Sequence, residues 1–402
     1  MKNYIFLTIL YCLFSFKYNL IPFADTGIRI DDFLILAFFL LIIAKGGNVT
    51  NRSINLMFVY TVWSLFSAII NMYVTEISIL KGVLFSIRNV EYLLFFYVGY
   101  YYRFYQIPLT PLLKSYLTYS VVIVILIHFG FISGTSEFHI SRVSSNTSGP
   151  YEYVIVVAFL TLYFTRNKNY AYGIVSFVMM FLTFSRITIA AYFIVQLFSS
   201  SLRLKVFLLF VFSLFLLMLE NTGYPSLLNR FSSLIDNQTI QNIHLLYSNI
   251  ELVDSHQGYL DTVYNPTSNS AVISLGGDSS ALIRLNRWLV LVFSTTLLSP
   301  FSFFIGMGPS FASVGVDGNY IRIFAETGVV GLTLYLTFLW SVLNYAKKNN
   351  EKVLYRFVVI VAISALFIDI FVSYKVMLLF WFYFGYVFKK NSKTISNKVE
   401  IQ

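Results

Sequence analysis

Three carboxylates stand where a general base would be useful. Asp317 lies in a polar loop, and Glu326 and Glu152 each lie at the start of an apolar run. A carboxylate at an accessible loop or helix end can take a proton from a substrate hydroxyl that reaches it. Glu326 and Glu152 have an ordinary alternative, because a negative charge at a helix N-terminus is stabilised by the helix dipole without any catalysis. Arginines accompany these acids. Arg284-Leu285-Asn286-Arg287-Trp288 sets two cations three residues apart, and beyond Gly306-Met307-Gly308 come Asn319 and Arg322. Arg142 opens a loop that ends in Gly149-Pro150-Tyr151-Glu152, while Arg186 follows Thr183-Phe184-Ser185 with almost no chain between two apolar runs. A guanidinium grips phosphate oxygens through a planar fork and stays charged when partly dehydrated, so the set is read as an anion site. For any single arginine the alternative is snorkelling or pairing with an acid.

Other chemistries find no foothold. Gly306-x-Gly308 follows no strand, and the chain has neither a phosphate-loop sequence nor an Asp-x-Asp pair, so ATP and metal-bound nucleotide sugars are unsupported. Arg88 and Glu91, three apart, most simply neutralise one another. His128 reads as a core residue, and His139, His244 and His256 share no metal-ligand spacing; the single Cys12 cannot close a disulfide within the chain. No cofactor and no metal is expected.

The elements that position these residues follow from composition. Of 402 residues, 57% are hydrophobic and 11% charged, with a mean hydropathy of +0.73; a soluble domain is about 45–50% apolar and about 25% charged. The apolar residues form long unbroken runs rather than the alternating segments of a barrel, so a water-soluble enzyme is excluded and an all-α polytopic bundle is expected. Twelve spans are predicted, at 4–22, 32–44, 54–73, 82–102, 115–132, 151–165, 170–184, 187–200, 206–220, 327–346, 357–371 and 375–388. The first apolar run has no small-residue cleavage site after it and reads as a retained helix. Helices 1–9 thus fill residues 1–220, a large external loop fills 221–326, three more helices fill 327–388, and 389–402 forms a disordered basic tail. Within the loop, Pro300 interrupts the apolar stretch 289–305, which is read as interfacial or re-entrant. The loop's first part holds material for short helices packed over the bundle mouth.

Charge orients the bundle. With the N-terminus inside, the inner segments carry 17 of 28 Lys and Arg but 2 of 18 Asp and Glu, which satisfies the positive-inside rule and leaves both termini cytoplasmic. The basic character therefore reports orientation, and no nucleic-acid partner is expected. Lysine dominates inside, whereas the outer and intramembrane cations are mostly arginine, which points to a phosphorylated ligand on the lipid side.

The pattern resembles a family, the Wzy-type O-antigen and capsule polymerases with the related O-antigen ligases. The likeness is carried by the Ser185-Arg186 helix junction, by Arg142…Gly149-Pro150-Tyr151-Glu152, and by Arg284…Trp288…Gly306-x-Gly308…Asn319-Tyr320…Glu326-x-Gly328. It implies a GT-C-like, metal-independent glycosyltransferase of the bacterial inner membrane, facing the periplasm. Its substrate would be an oligosaccharide on polyprenyl (undecaprenyl) pyrophosphate, and a chain-length regulator is a candidate partner. The ligases carry a His-Asn pair where this chain has Asp317-Gly318-Asn319, a departure that favours polymerisation over ligation. On that reading Asp317 deprotonates the acceptor, while Arg186, Arg284 and Arg142, with Arg287, Arg322 and Asn319 nearby, hold pyrophosphate and sugar. The alternatives are a ligase, or a flippase for the same lipid-linked oligosaccharide.

Overall fold

The computed structural model describes residues 2–16, 19–21, 28–30, 51–132, 142–199, 237–264, 279–312 and 315–399, with positions 33, 34, 36, 37, 40 and 213. The predicted spans 32–44 and 206–220 lie mostly outside these residues, as does the loop stretch 133–141. The described chain is built of helices: α1 (Lys2–Phe14), α2 (Arg52–Val74), α3 (Ile79–Phe104), α4 (Leu109–His128), α5 (Pro150–Arg166), α6 (Tyr170–Leu182) and α7 (Arg186–Ser199). In the second half follow α8 (Asn237–Ser248), α9 (His256–Tyr264), α10 (Ser279–Leu297), α11 (Pro300–Ile305), α12 (Asn319–Lys348), α13 (Lys352–Ser364) and α14 (Tyr374–Val399). One short antiparallel pair, Asn19–Ile21 with Ile28–Arg29, is the exception.

This is a helical membrane protein. Helices α2, α4 and α12 are long and apolar enough to cross a bilayer, and α1, α6, α7 and the Tyr374–Phe388 part of α14 are shorter apolar helices. Helix α2 shows why. Its buried face carries Ser53, Ser64, Ser67 and Asn71, while Phe58, Val62, Phe66, Ile69 and Tyr73 point outward. A water-soluble helix would reverse that arrangement; in lipid, small and polar residues glue helices together while apolar ones face the tails.

The tightest seam joins α3 and α14. A Cβ added at Gly99 would lie 1.9 Å from the Phe382 carbonyl oxygen, and one at Gly385 would lie 1.9 Å from that of Phe96. Two backbones meet there with no side chain between, as small residues at a membrane-helix crossing allow. Around the seam packs a core rich in aromatic rings, with Phe338 stacked on Trp381 at 5.1 Å.

Several boundaries differ from expectation. Helix α1 ends at Phe14 rather than continuing to residue 22: Lys375 Nζ donates to the carbonyls of Cys12, Leu13 and Ser15 at 2.6–2.8 Å, and Asn146 Nδ2 donates to that of Leu13 at 2.8 Å. Carbonyls that would otherwise be orphaned at a helix end are thereby satisfied. Helix α4 begins at Leu109, so Lys114 is helical, with Nζ 4.7 Å from the centre of the Tyr172 ring. Helix α13 stops at Ser364, leaving Ala365–Ser373 as a connection where a span to 371 was predicted. The basic residues after Phe388 continue α14 to Val399 instead of forming an irregular tail.

Helix α12 is broken. It starts at Asn319, and at Gly328 the backbone leaves helical geometry (φ 69°, ψ −173°) before the second half runs on to Lys348. The predicted span at 327 begins at this break. Gly306 (φ 83°), which ends α11, sits against it: a Cβ there would lie 2.4 Å from Thr327 N, and one at Gly328 would lie 2.2 Å from Phe304 O. Both positions combine left-handed φ with no room for a side chain, which only glycine tolerates. Met307 N and Gly308 N then donate to the carbonyls of Ala325 and Glu326 at 2.7 and 3.1 Å.

Breaking helices inside a membrane frees carbonyls that lipid cannot hydrate, and they must find partners in the protein. Helix α2 supplies them. Ser67 Oγ donates to Ile305 and Glu326 carbonyls (2.8 and 3.1 Å), Asn71 Nδ2 to Gly306 (3.1 Å), Thr75 Oγ1 to Met307 (2.9 Å) and Trp63 Nε1 to Thr327 (2.9 Å). A second buried cluster, including Tyr259, Leu291, Phe311 and Val316, joins the long loop to this region.

Candidate functional site

Helix α10 organises the site by spacing alone. Arg284, Arg287 and Trp288, at i, i+3 and i+4, share one face and grip the segment before α12. Arg284 Nε lies 3.0 Å from Asp317 Oδ2, Arg287 Nη1 donates to the Gly315 carbonyl, and Trp288 Nε1 donates to that of Val316 at 3.0 Å. The predicted cation pair thus holds a loop in which Asp317 adopts φ 56°.

That loop wraps a carboxylate that sequence reasoning missed. Asp369, in the connection after α13, accepts from Asp317 N at 3.2 Å, Gly318 N at 3.3 Å and Asn319 Nδ2 at 3.4 Å. Its Oδ2 also lies 3.3 Å from Arg322 Nη1. Asn319 completes the clasp by accepting from Phe371 N through Oδ1 at 2.8 Å, and its own N–H donates to the Ala365 carbonyl at 2.9 Å. The signal was a lone acid in an apolar run, which inside a membrane is a functional hypothesis by default. It was hidden because 357–371 read as one span.

One turn into α12, Arg322 Nε lies 3.5 Å from Glu326 Oε1, and both residues are buried. Arg322 is therefore shared between Glu326 and Asp369. The backbone N–H groups of Ser310 and Ala312 also hydrogen-bond to Glu326. Three carboxylates (Asp317, Glu326, Asp369) and three arginines (Arg284, Arg287, Arg322) gather here, and the Arg284–Asp317 pair is the accessible part, each side chain just over one third exposed.

The other predicted residues form a second group. Arg142 Nε donates to the Thr183 carbonyl at 3.2 Å and Val143 N to that of Leu182 at 3.3 Å, so the Arg142 loop lies on the α6–α7 junction that presents Arg186. Glu152 is 1% exposed and has both oxygens engaged by backbone, Oε2 by Ser148 N at 2.7 Å and Oε1 by Lys375 N at 2.8 Å. It joins the starts of α5 and α14. Its neighbour Tyr151 lies in the combined field of Glu152, Asp317 and Asp369, which relates the two groups.

Of the remaining pairs, Arg88 and Glu91 approach to 3.9 Å. His256 bonds to the Phe311 carbonyl through Nδ1 at 3.0 Å and faces Lys81 Nζ at 3.5 Å. Among the described residues, no three His, Cys, Asp or Glu side chains gather as a metal site. No family model matches this chain, and neither a curated protein nor a solved structure does.

Proposed function

We propose that this protein is a membrane glycosyltransferase that polymerises oligosaccharide repeats carried on polyprenyl pyrophosphate, working at its Asp317 end on the periplasmic side of a bacterial inner membrane. The observation that carries the reading is the half-open Arg284–Asp317 pair, fixed by α10 beside the buried Arg322, Asp369 and Glu326. Arginines neutralised by carboxylates at the mouth of a broken helix suit a ligand that brings its own negative charge.

The chemistry follows from exchange of partners. A pyrophosphate arriving at Arg284 competes with Asp317 for the guanidinium and leaves that carboxylate free to act as base. Asp317 then takes the proton of the acceptor sugar hydroxyl. The hydroxyl oxygen bonds to the anomeric carbon as the bond from that carbon to phosphate breaks, with inversion, and polyprenyl pyrophosphate departs. Arg284 meets the growing charge on the leaving group, with Arg142 and Arg186 contributing from the second loop. Stabilising charge where it develops is usually the largest catalytic contribution. Asn319 and Asp369 hold the Asp317 loop in register.

A flippase for the same lipid-linked oligosaccharide is the second reading, favoured by the break at Gly328, since discontinuous helices line many transport sites. One experiment separates them. A deletion strain is complemented with wild type, Arg186→Ala or Asp317→Asn, membrane levels are matched, and surface polysaccharide is resolved on a gel. Loss of the ladder with a single repeat still transferred supports polymerisation; loss of that single unit as well means flipping or ligation and overturns it.

A further inference from the structure

At the opposite end of the helices lies a polar cavity of about 340 Å³ that the proposed reaction does not use. Its cations come from three elements: Arg103 from the last turn of α3, Arg166 from the last turn of α5, and Lys352 from the first position of α13. Three tyrosines, Tyr163, Tyr383 and Tyr386, form its aromatic wall. We propose that this cavity binds a phosphate ester group, either the headgroup phosphate of an anionic lipid or that of a soluble ester.

The ordinary explanation of the arginines is that cations at helix C-termini are stabilised by the helix dipole. It does not extend to Lys352. That lysine opens α13 just after its N-cap Glu351, with no acid in the first turn itself, so positive side-chain charge is added where the dipole is already positive. An anion in the cavity would meet both. With Glu351, which also lines the cavity, the charged side chains there sum to +2, enough to neutralise a phosphate diester or a monoester of about −2.

The cavity is also held in shape. Arg103 Nη1 donates to the Tyr386 hydroxyl at 3.2 Å, with the guanidinium 5.3 Å from that ring's centre, and Tyr386 stacks on Tyr383 at 6.2 Å. Tyr163 shares a 2.9 Å hydrogen bond with Thr110. An arginine fixed by a phenol keeps other N–H groups for a ligand, five being available on each guanidinium. Next to it Phe104 is 45% exposed, as a residue at the bilayer boundary would be. Basic pockets between membrane helices at the basic, inner end of a bundle commonly hold phosphorylated headgroups.

The test uses the full chain purified in mild detergent. Retained phosphatidylglycerol against phosphatidylcholine is measured by native mass spectrometry, and inorganic phosphate is titrated by calorimetry, for wild type and for Arg103→Gln/Arg166→Gln. Preferential retention of phosphatidylglycerol that falls by about fivefold per cation removed supports the site with a lipid source. Phosphate binding that the variant loses, without lipid preference, supports it with a soluble source. Equal behaviour of wild type and variant in both assays overturns it. If the double variant does not accumulate, Lys352→Ala at an exposed position is measured in its place, with a fivefold loss expected in whichever assay wild type responds.

Discussion

At the scale of single residues, the most consequential groups are ones whose charge is buried and shared. Asp369 accepts three N–H groups and faces Arg322, so Asp369→Ala removes one of the two carboxylates beside that buried guanidinium and releases the Asp317 loop together. Removing one partner of a buried pair costs about 3–5 kcal/mol; a lower thermal unfolding midpoint of the purified protein should report it, and Asp369→Asn should recover part of the loss. Lys375 ends α1 by donating its amine to three carbonyls. Lys375→Met should therefore reduce accumulation in the membrane, read by fluorescence-detected size exclusion, without direct effect on the Arg284–Asp317 pair. Arg284→Lys keeps charge but not the planar fork, so polymer length should fall while protein level holds; unchanged polymer would count against pyrophosphate binding at this position.

Among elements, the break between α11 and the two halves of α12 decides where the site lies. Gly328 has φ 69° and has the Phe304 carbonyl oxygen where a Cβ would sit. Gly328→Ala should cost at least about 1–3 kcal/mol from backbone strain alone, with the steric contact added, and is expected to lower the unfolding midpoint. Ser67→Ala and Asn71→Ala test the same architecture from α2, because each leaves a carbonyl of the break without its donor; about 1–3 kcal/mol apiece is expected in the same measurement. A break held only by its own glycines would be insensitive to α2.

For the whole molecule, charge sorting and architecture agree on two distinct ends. Arg103, Arg166 and Lys352 meet at one, and Arg284, Arg322 and Asp369 meet at the other. Orientation is a prediction of the positive-inside rule. In a Cys12→Ser background, an impermeant maleimide applied outside the inner membrane should label Asp261→Cys and spare Lys348→Cys, both exposed positions. The reverse pattern would move the Arg284–Asp317 pair to the cytoplasm and end the periplasmic reading.

The amino-acid order by itself determined the class of this protein and most of its helices, because lipid demands long apolar runs and satisfied backbone, and both are written as local composition. It also located Arg284, Arg287, Asn319, Arg322, Glu326 and Asp317 as one polar cluster, because these lie near each other in the chain. Only the tertiary structure brought Asp369 to them from 52 residues beyond Asp317, ended α13 at Ser364, and engaged Glu152 with the backbone of Lys375. Local pattern could not show this, since an acid inside an apolar run looks like part of the span until the partners that neutralise it arrive from other helices. The same holds for α2: its hydroxyls, amide and indole became the donors for a broken helix only when the Ile305–Met307 and Glu326–Thr327 carbonyls were placed against them.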